Sequence, residues 1–184
     1  IELKPYGPIT LDPTAKVLHY AQEIFEGLKA YKTDGQGPYL FRPDENAKRF
    51  NSSAVRMAMP ELPIESFVES CKVITSYCSE FIPPNTGETL YIRPYMFATE
   101  ESLGIKPSEK FKFLVIASPS GNYFSSGSVT VGIERDAARA TPGGMGAAKT
   151  GGNYAASLLS ANQAIAKNCQ QILWLDAVRH ERIE

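Results

Sequence analysis

The chain has 184 residues, 43% of them hydrophobic and 21% charged, and its net charge is −1. This is an ordinary globular balance, able to bury one sizeable core or two small ones, and it gives nothing to steer the chain toward nucleic acid or an acidic membrane. No apolar run approaches a membrane span, which takes ~20 residues; the longest, Phe113-Leu-Val-Ile-Ala117, is strand-sized.

In chain order, residues 17–20 and 27–32 have strand character, and the polar run Thr33-Asp-Gly-Gln-Gly37 leads into Pro38-Tyr-Leu-Phe41, which predicts a hairpin. Asp44 is placed to cap a helix with apolar positions Ala47, Phe50, Ala54, Met57 and Ala58, ending before Pro60. A second helix is predicted over 64–82, stopped by Pro83-Pro84, with Ile64, Phe67, Val68, Cys71, Ile74, Cys78 and Phe81 on its apolar stripe. Cys71 and Cys78 therefore read as buried thiols. With Cys169 they make an odd count that fits a reducing cytosol, and together with His19 and His180 they show no metal-ligand spacing. Residues 89–99 and 110–118 alternate and are rich in aromatic and β-branched types, as strands are, and Pro94 argues for an edge or bent position of the first.

The run Gly121-Asn-Tyr-Phe-Ser-Ser-Gly-Ser128 is small and polar, so it predicts a linker between a first domain over 1–120 and a second region over 129–184. In the latter, strands are predicted at 129–134 and 171–177, and a helix over 153–167 with Leu158, Leu159 and Ile165 inward. The layout is α+β. About 55 residues is small for an independent core, so the second region is expected to be incomplete. The chain also opens at Ile1 without a methionine or a signal-peptide pattern, so a trimmed start is expected.

Lys149 sits in Thr141-Pro-Gly-Gly-Met-Gly-Ala-Ala-Lys-Thr-Gly-Gly-Asn-Tyr154, which has five glycines within ten residues and runs directly into a helical pattern. Such a segment lets backbone approach a ligand closely. Three readings compete: a solvated surface lysine, a phosphate-cradling loop, and a lysine that forms a Schiff base with a carbonyl cofactor. The phosphate-loop reading fails at Ala148, where the spacing from Gly143 to Lys149-Thr150 requires glycine.

The run Ala147-Ala-Lys149-Thr-Gly-Gly-Asn-Tyr154-Ala-Ala-Ser-Leu resembles the active-site segment of branched-chain aminotransferases of the fold-type-IV pyridoxal-phosphate class. So, in order, do His19-Tyr-Ala-Gln-Glu-Ile-Phe-Glu-Gly-Leu-Lys-Ala-Tyr31, Phe41-Arg-Pro-Asp-Glu-Asn-Ala-Lys-Arg49, Leu90-Tyr-Ile-Arg-Pro94 and Ser118-Pro-Ser-Gly-Asn-Tyr-Phe124. The resemblance implies a fold-type-IV architecture, with a small N-terminal α/β domain and the opening of a larger C-terminal one. It implies pyridoxal 5'-phosphate as cofactor, and exchange of the amino group of leucine, isoleucine or valine with 2-oxoglutarate in a cytoplasmic homodimer. A D-amino-acid aminotransferase, an aminodeoxychorismate lyase or a non-catalytic fragment are its rivals.

By the same resemblance Lys149 is the Schiff-base lysine and general base, Tyr154 bonds the cofactor ring's phenolic oxygen, and Arg49 is the phosphate ligand. Tyr91 and Arg93, on one strand face, bind the substrate carboxylate, while Tyr20, Phe25 and Tyr123 shape the side-chain pocket. Arg139, Thr141, Gly143 and Gly144 resemble a loop that closes over substrate. The glutamate that pairs with the cofactor's pyridine nitrogen is expected one position beyond Glu184, or at Glu184 if the register slips by one.

Overall fold

The computed structural model describes residues 1–184 apart from 34–35, 122–123 and 125–126. The chain divides into two compact units, Ile1–Asn122 and Tyr123–Glu184.

In the first unit an α+β arrangement is built on five strands, β1 (Glu23–Phe25), β2 (Leu28–Thr33), β3 (Gln36–Leu40), β4 (Thr89–Ala98) and β5 (Phe111–Ser120). β4 is central: β5 pairs along its whole length on one side, and β1 and β2 pair in succession on the other, with β3 closing the predicted hairpin beyond β2. Alternation sends Leu90, Ile92, Pro94 and Met96 into the core, where α2 (Pro43–Arg56) and α3 (Ile64–Tyr77) cover them. The expected apolar positions Ala47, Phe50 and Ala54 are all buried, as are Phe67 and Cys71 of α3.

Pro94 corrects an expectation. A proline suggests an edge or a bend because it cannot donate to the ladder, yet this one is fully buried in the central strand. Its carbonyl accepts the Glu26 N–H at 2.8 Å, so its nitrogen faces residues 26–27, the gap between β1 and β2 where no ladder donor is required. That gap sets the conformation of Glu26 and Gly27.

Other differences are local. Residues 17–20 form a helical turn, α1 (Lys16–Tyr20), instead of a strand. The buried Lys16 ammonium donates to the carbonyls of Gly104 at 2.6 Å and Lys106 at 3.2 Å, and such a tie outweighs the propensity of a four-residue stretch. Asp44 lies inside the first turn of α2, after Arg42 at the cap and Pro43 at the first helical position, where its charge suits the helix N-terminus. Met57 and Ala58 fall beyond the end of α2. The second helix stops at Tyr77, followed by a 3-10 turn (Ser79–Phe81) that leaves Phe81 exposed and Cys78 only half-buried.

The second unit contains β6 (Val131–Ile133) and β7 (Gln171–Leu173), paired in parallel, with α4 (Gly151–Ala155) and α5 (Leu158–Ala166). The single helix expected over 153–167 is broken at residues 156–157, where Ser157 Oγ donates to the Tyr154 carbonyl at 2.7 Å. Leu158, Leu159 and Ile165 are exposed rather than inward. The buried side of α5 carries Ser160, whose hydroxyl bonds Glu134. The strand expected to reach 177 ends at Leu173, beyond which Leu175 makes an isolated bridge to Ile183.

Two carboxylates organise the loops of this unit. Glu134 accepts the N–H groups of Asp136 and Ala137, and Asp176 accepts those of Val178, Arg179, Glu181 and Arg182. These donors hold Glu134 at about 2, below its ordinary 4.5, and lower Asp176 likewise. A carboxylate with a depressed folded value adds stability above its unfolded value and loses it as pH falls through the folded one. The loops these carboxylates hold are therefore expected to lose amide protection, measured relative to the intrinsic exchange rate at each pH, between pH 4.5 and about 2. Asp176→Asn should reduce that sensitivity, since an amide cannot titrate; unchanged protection in wild type across this window would refute the expectation.

Among the described residues no helix is long and apolar enough to cross a membrane, and no cluster of His, Cys, Asp and Glu could hold a metal ion.

Candidate active site

The face of β4 opposite the helices carries Tyr91, Arg93 and Tyr95, the alternates of the buried Leu90, Ile92, Pro94 and Met96. Arg93 Nη2 donates to Tyr91 Oη at 2.9 Å, and the guanidinium carbon lies 4.6 Å from the Phe25 ring centroid and 5.2 Å from that of Tyr91. Two aromatic faces thus hold the cation by its π surfaces. Arg93 Nε is buried without a hydrogen-bond partner, a donor suited to an anionic ligand.

Gly27 belongs to the same construction. A Cβ at this position would lie 2.1 Å from Tyr91 Oη and 2.8 Å from Cζ, so the phenol occupies the space a side chain would need. Gly27→Ala is expected to destabilise the protein by ~1–3 kcal/mol through overpacking. The denaturation midpoint measures it, and Tyr91→Ala in the same chain should recover most of the loss; a double variant no more stable than Gly27→Ala would show the strain to lie elsewhere.

Arg49 projects from α2 off the buried stripe, as its sequence position requires, and pairs with Glu26 through Nε at 2.5 Å and Nη2 at 2.8 Å. Sequence reasoning did not single out Glu26. Its one signal was a carboxylate between an aromatic residue and a glycine in a strand-like run. Tyr20 contributes its hydroxyl to the Leu103 carbonyl and its ring lies beside His19, apart from the Phe25, Tyr91 and Arg93 cluster in its described contacts. Tyr123 lies outside the described residues.

In the second unit Asn153 shapes the lysine loop: its Nδ2 donates to the carbonyls of Met145 at 2.8 Å and Ala148 at 2.7 Å. Gly146 permits the close return of the chain, since a Cβ there would stand 2.4 Å from that of Ala140. Residues 136–140 form no strand, consistent with rejecting the phosphate-loop reading. Lys149 closes the loop just before α4, and Tyr154 follows within it. Lys149 Nζ donates to Tyr154 Oη at 2.8 Å and lies 5.3 Å from the ring centroid. The amine is thus directed at a phenol that is itself 47% exposed. Arg139 pairs side-on with Glu184, Nε to Oε2 at 2.9 Å and Nη2 to Oε1, and the carboxylate pushes the guanidinium up from its ordinary value.

Six of the eight predicted site residues therefore fall into three groups, Phe25, Tyr91 and Arg93 together, Arg49 with Glu26, and Lys149 with Tyr154, while Tyr20 stands apart and Tyr123 lies outside the described residues.

No protein-family model matches the chain. The chain is 52% identical over 183 residues to a branched-chain-amino-acid aminotransferase of Mycolicibacterium smegmatis, covering 98% of the chain and 50% of that protein. It is 50% identical over 186 residues to a probable branched-chain-amino-acid aminotransferase of Streptomyces coelicolor, covering 100% and 51%. Among solved structures, the branched-chain amino acid aminotransferase from Escherichia coli superimposes with a TM-score of 0.71 at 27% identity, over 91% of this chain and 53% of that one. Another branched-chain amino acid aminotransferase, solved with pyridoxamine 5'-phosphate, superimposes with a TM-score of 0.77 at 30% identity, over 91% and 55%. The fold is the fold-type-IV arrangement of these enzymes, and the chain spans about half the length of the curated relatives it matches.

Proposed function

We propose that the chain is part of a branched-chain-amino-acid aminotransferase, since it matches curated relatives of that name at 50% and 52% identity over about half of their length, and that the full-length protein is a pyridoxal-phosphate-dependent transaminase. It exchanges the amino group of leucine, isoleucine or valine with 2-oxoglutarate. The observation that carries this reading is the 2.8 Å contact between Lys149 Nζ and Tyr154 Oη at the end of a glycine-rich loop. An amine and a phenol in contact are the two groups that a pyridoxal aldehyde and its neighbouring ring oxygen call for.

The remaining donors fit the same group by type. Arg49 offers a guanidinium fork to a phosphate. Arg93, with its buried Nε, and Tyr91 suit a substrate carboxylate. Phe25 gives the side-chain pocket an aromatic wall, which favours aliphatic over acidic side chains. When bound, the cofactor supplies a carbonyl carbon to receive the amino group and a conjugated ring to spread the charge of a deprotonated α-carbon. Lys149 moves the proton at that carbon, and Tyr154 holds the ring oxygen and orients the amine. In this reading residues 1–120 are the small domain, 121–128 the linker and 129–184 the start of the cofactor domain, in a cytosolic homodimer.

Full-length protein mixed with pyridoxal phosphate is expected to absorb in the visible. With 2-oxoglutarate as acceptor, leucine, isoleucine and valine should turn over faster than alanine, aspartate or any D-amino acid. A faster D-amino acid or alanine would overturn the branched-chain assignment, and no transamination at all would overturn the enzyme.

A further inference from the structure

Glu26 is buried to 0% exposure and carries a carboxylate. Four N–H groups converge on it: the Gly27 backbone at 3.1 Å, Asn46 Nδ2 at 2.8 Å, and Arg49 Nε and Nη2 at 2.5 and 2.8 Å. Both oxygens are engaged, as a buried carboxylate requires. The geometry depends on β4: Pro94 faces the gap between β1 and β2, and the turn of chain in that gap brings Glu26 under α2, which supplies Asn46 and Arg49 one helical turn apart.

The pairing with Arg49 is side-on, Nε to Oε1 and Nη2 to Oε2, so it fixes the plane of the guanidinium and not merely its charge. The arginine side chain nevertheless stays 57% exposed while its partner is wholly enclosed. Nη1 and the outer edge of the fork consequently point away from the carboxylate.

We propose that Glu26, seconded by Asn46, is a positioning residue for anion recognition: it presents the outer edge of the Arg49 guanidinium to a phosphate monoester. The inference rests on the reading of Arg49 as phosphate ligand given under the proposed function. Two consequences of Glu26 oppose each other at that edge. Its charge repels a phosphate, and its hydrogen bonds remove the rotamer freedom that an arginine on an exposed helix face otherwise keeps. At an exposed guanidinium the repulsion is screened by water and salt, whereas the ordering is not. Ordering therefore dominates, and removing Glu26 weakens phosphate binding.

The test titrates the full-length protein by absorbance with pyridoxal 5'-phosphate and with phosphate-free pyridoxal, because the ratio of the two affinities reads the phosphate contact alone. Glu26→Gln sets an amide N–H against N–H donors. It is expected to lower pyridoxal phosphate affinity about tenfold, to leave pyridoxal affinity unchanged, and to cost nothing further in an Arg49→Gln background. If Arg49→Gln keeps the wild-type ratio, the reading of Arg49 fails and takes this inference with it. If Arg49→Gln loses the ratio and Glu26→Gln keeps it, the positioning role alone is overturned. A loss shared equally by both ligands, or one fully additive with Arg49→Gln, also overturns it, leaving Glu26 as part of the interior. Should Glu26→Gln fail to fold, Asn46→Ala carries the same test, with an expected threefold fall in the ratio; an unchanged ratio would refute the proposal.

Discussion

A Lys149→Ala variant of the full-length protein is expected to transaminate at least about 10⁴-fold more slowly than wild type while melting at nearly the same temperature. The rate effect is large because one amine serves twice, as nucleophile toward a carbonyl and as carrier of the α-proton, and a positioned acid–base group alone contributes ~10²–10⁴. The stability effect is small because Lys149 is only half-buried and lies in a loop whose shape is held by Asn153, through the carbonyls of Met145 and Ala148. Lys149→Arg should fail as completely, since a guanidinium keeps the charge but cannot give up its proton near neutral pH. Borohydride treatment of wild type with pyridoxal phosphate should leave a covalent label on the peptide containing Lys149. Retention of that label by Lys149→Ala would sink the assignment, whatever the activities.

What could be read in advance divides by distance along the chain. Lys149 and Tyr154 were singled out through the family resemblance, and their contact at 2.8 Å follows from a loop that runs into a helix and keeps residues five apart within reach. Tyr91 and Arg93 were legible because a strand repeats every two residues. Glu26 was not, because its significance comes from α2 lying over the gap between two short strands, a relation between distant segments that no local pattern encodes. Pro94 misled for a similar reason: the proline rule speaks of a missing donor, and only the partner strands show that the donor is absent where the ladder is interrupted. Leu158, Leu159 and Ile165 gave an apolar helix pattern, yet α5 turns Ser160 inward and leaves them exposed, so the pattern predicted the helix better than its orientation. The stripe of α3 likewise ran too far, since the helix ends at Tyr77 and Phe81 turns outward.

That last error supplies an internal control for the largest stability effect. Phe67 and Phe81 stood on one predicted stripe, but Phe67 is 0% exposed and Phe81 63%. Phe67 packs its ring 5.3 Å from Phe50 and 6.2 Å from Phe113, joining α3 to α2 and to β5. Phe67→Ala removes a ring from a close-packed junction of three elements and is expected to cost ~3–5 kcal/mol, a large part of the ~5–15 kcal/mol by which domains are stable. At a urea slope of ~2 kcal/mol per molar, the midpoint should fall by about 2 M. Phe67→Leu should recover a good part of the loss, since it restores most of the apolar volume, while Phe81→Ala should move the midpoint by no more than about 0.3 M, as exposed substitutions cost ~0.5 kcal/mol. The effect would reach Tyr91 and Arg93 through β4, whose inner residues Leu90, Ile92 and Met96 rest in the same core. Equal midpoints for Phe67→Ala and Phe81→Ala would mean that the aromatic junction does not hold the first unit together.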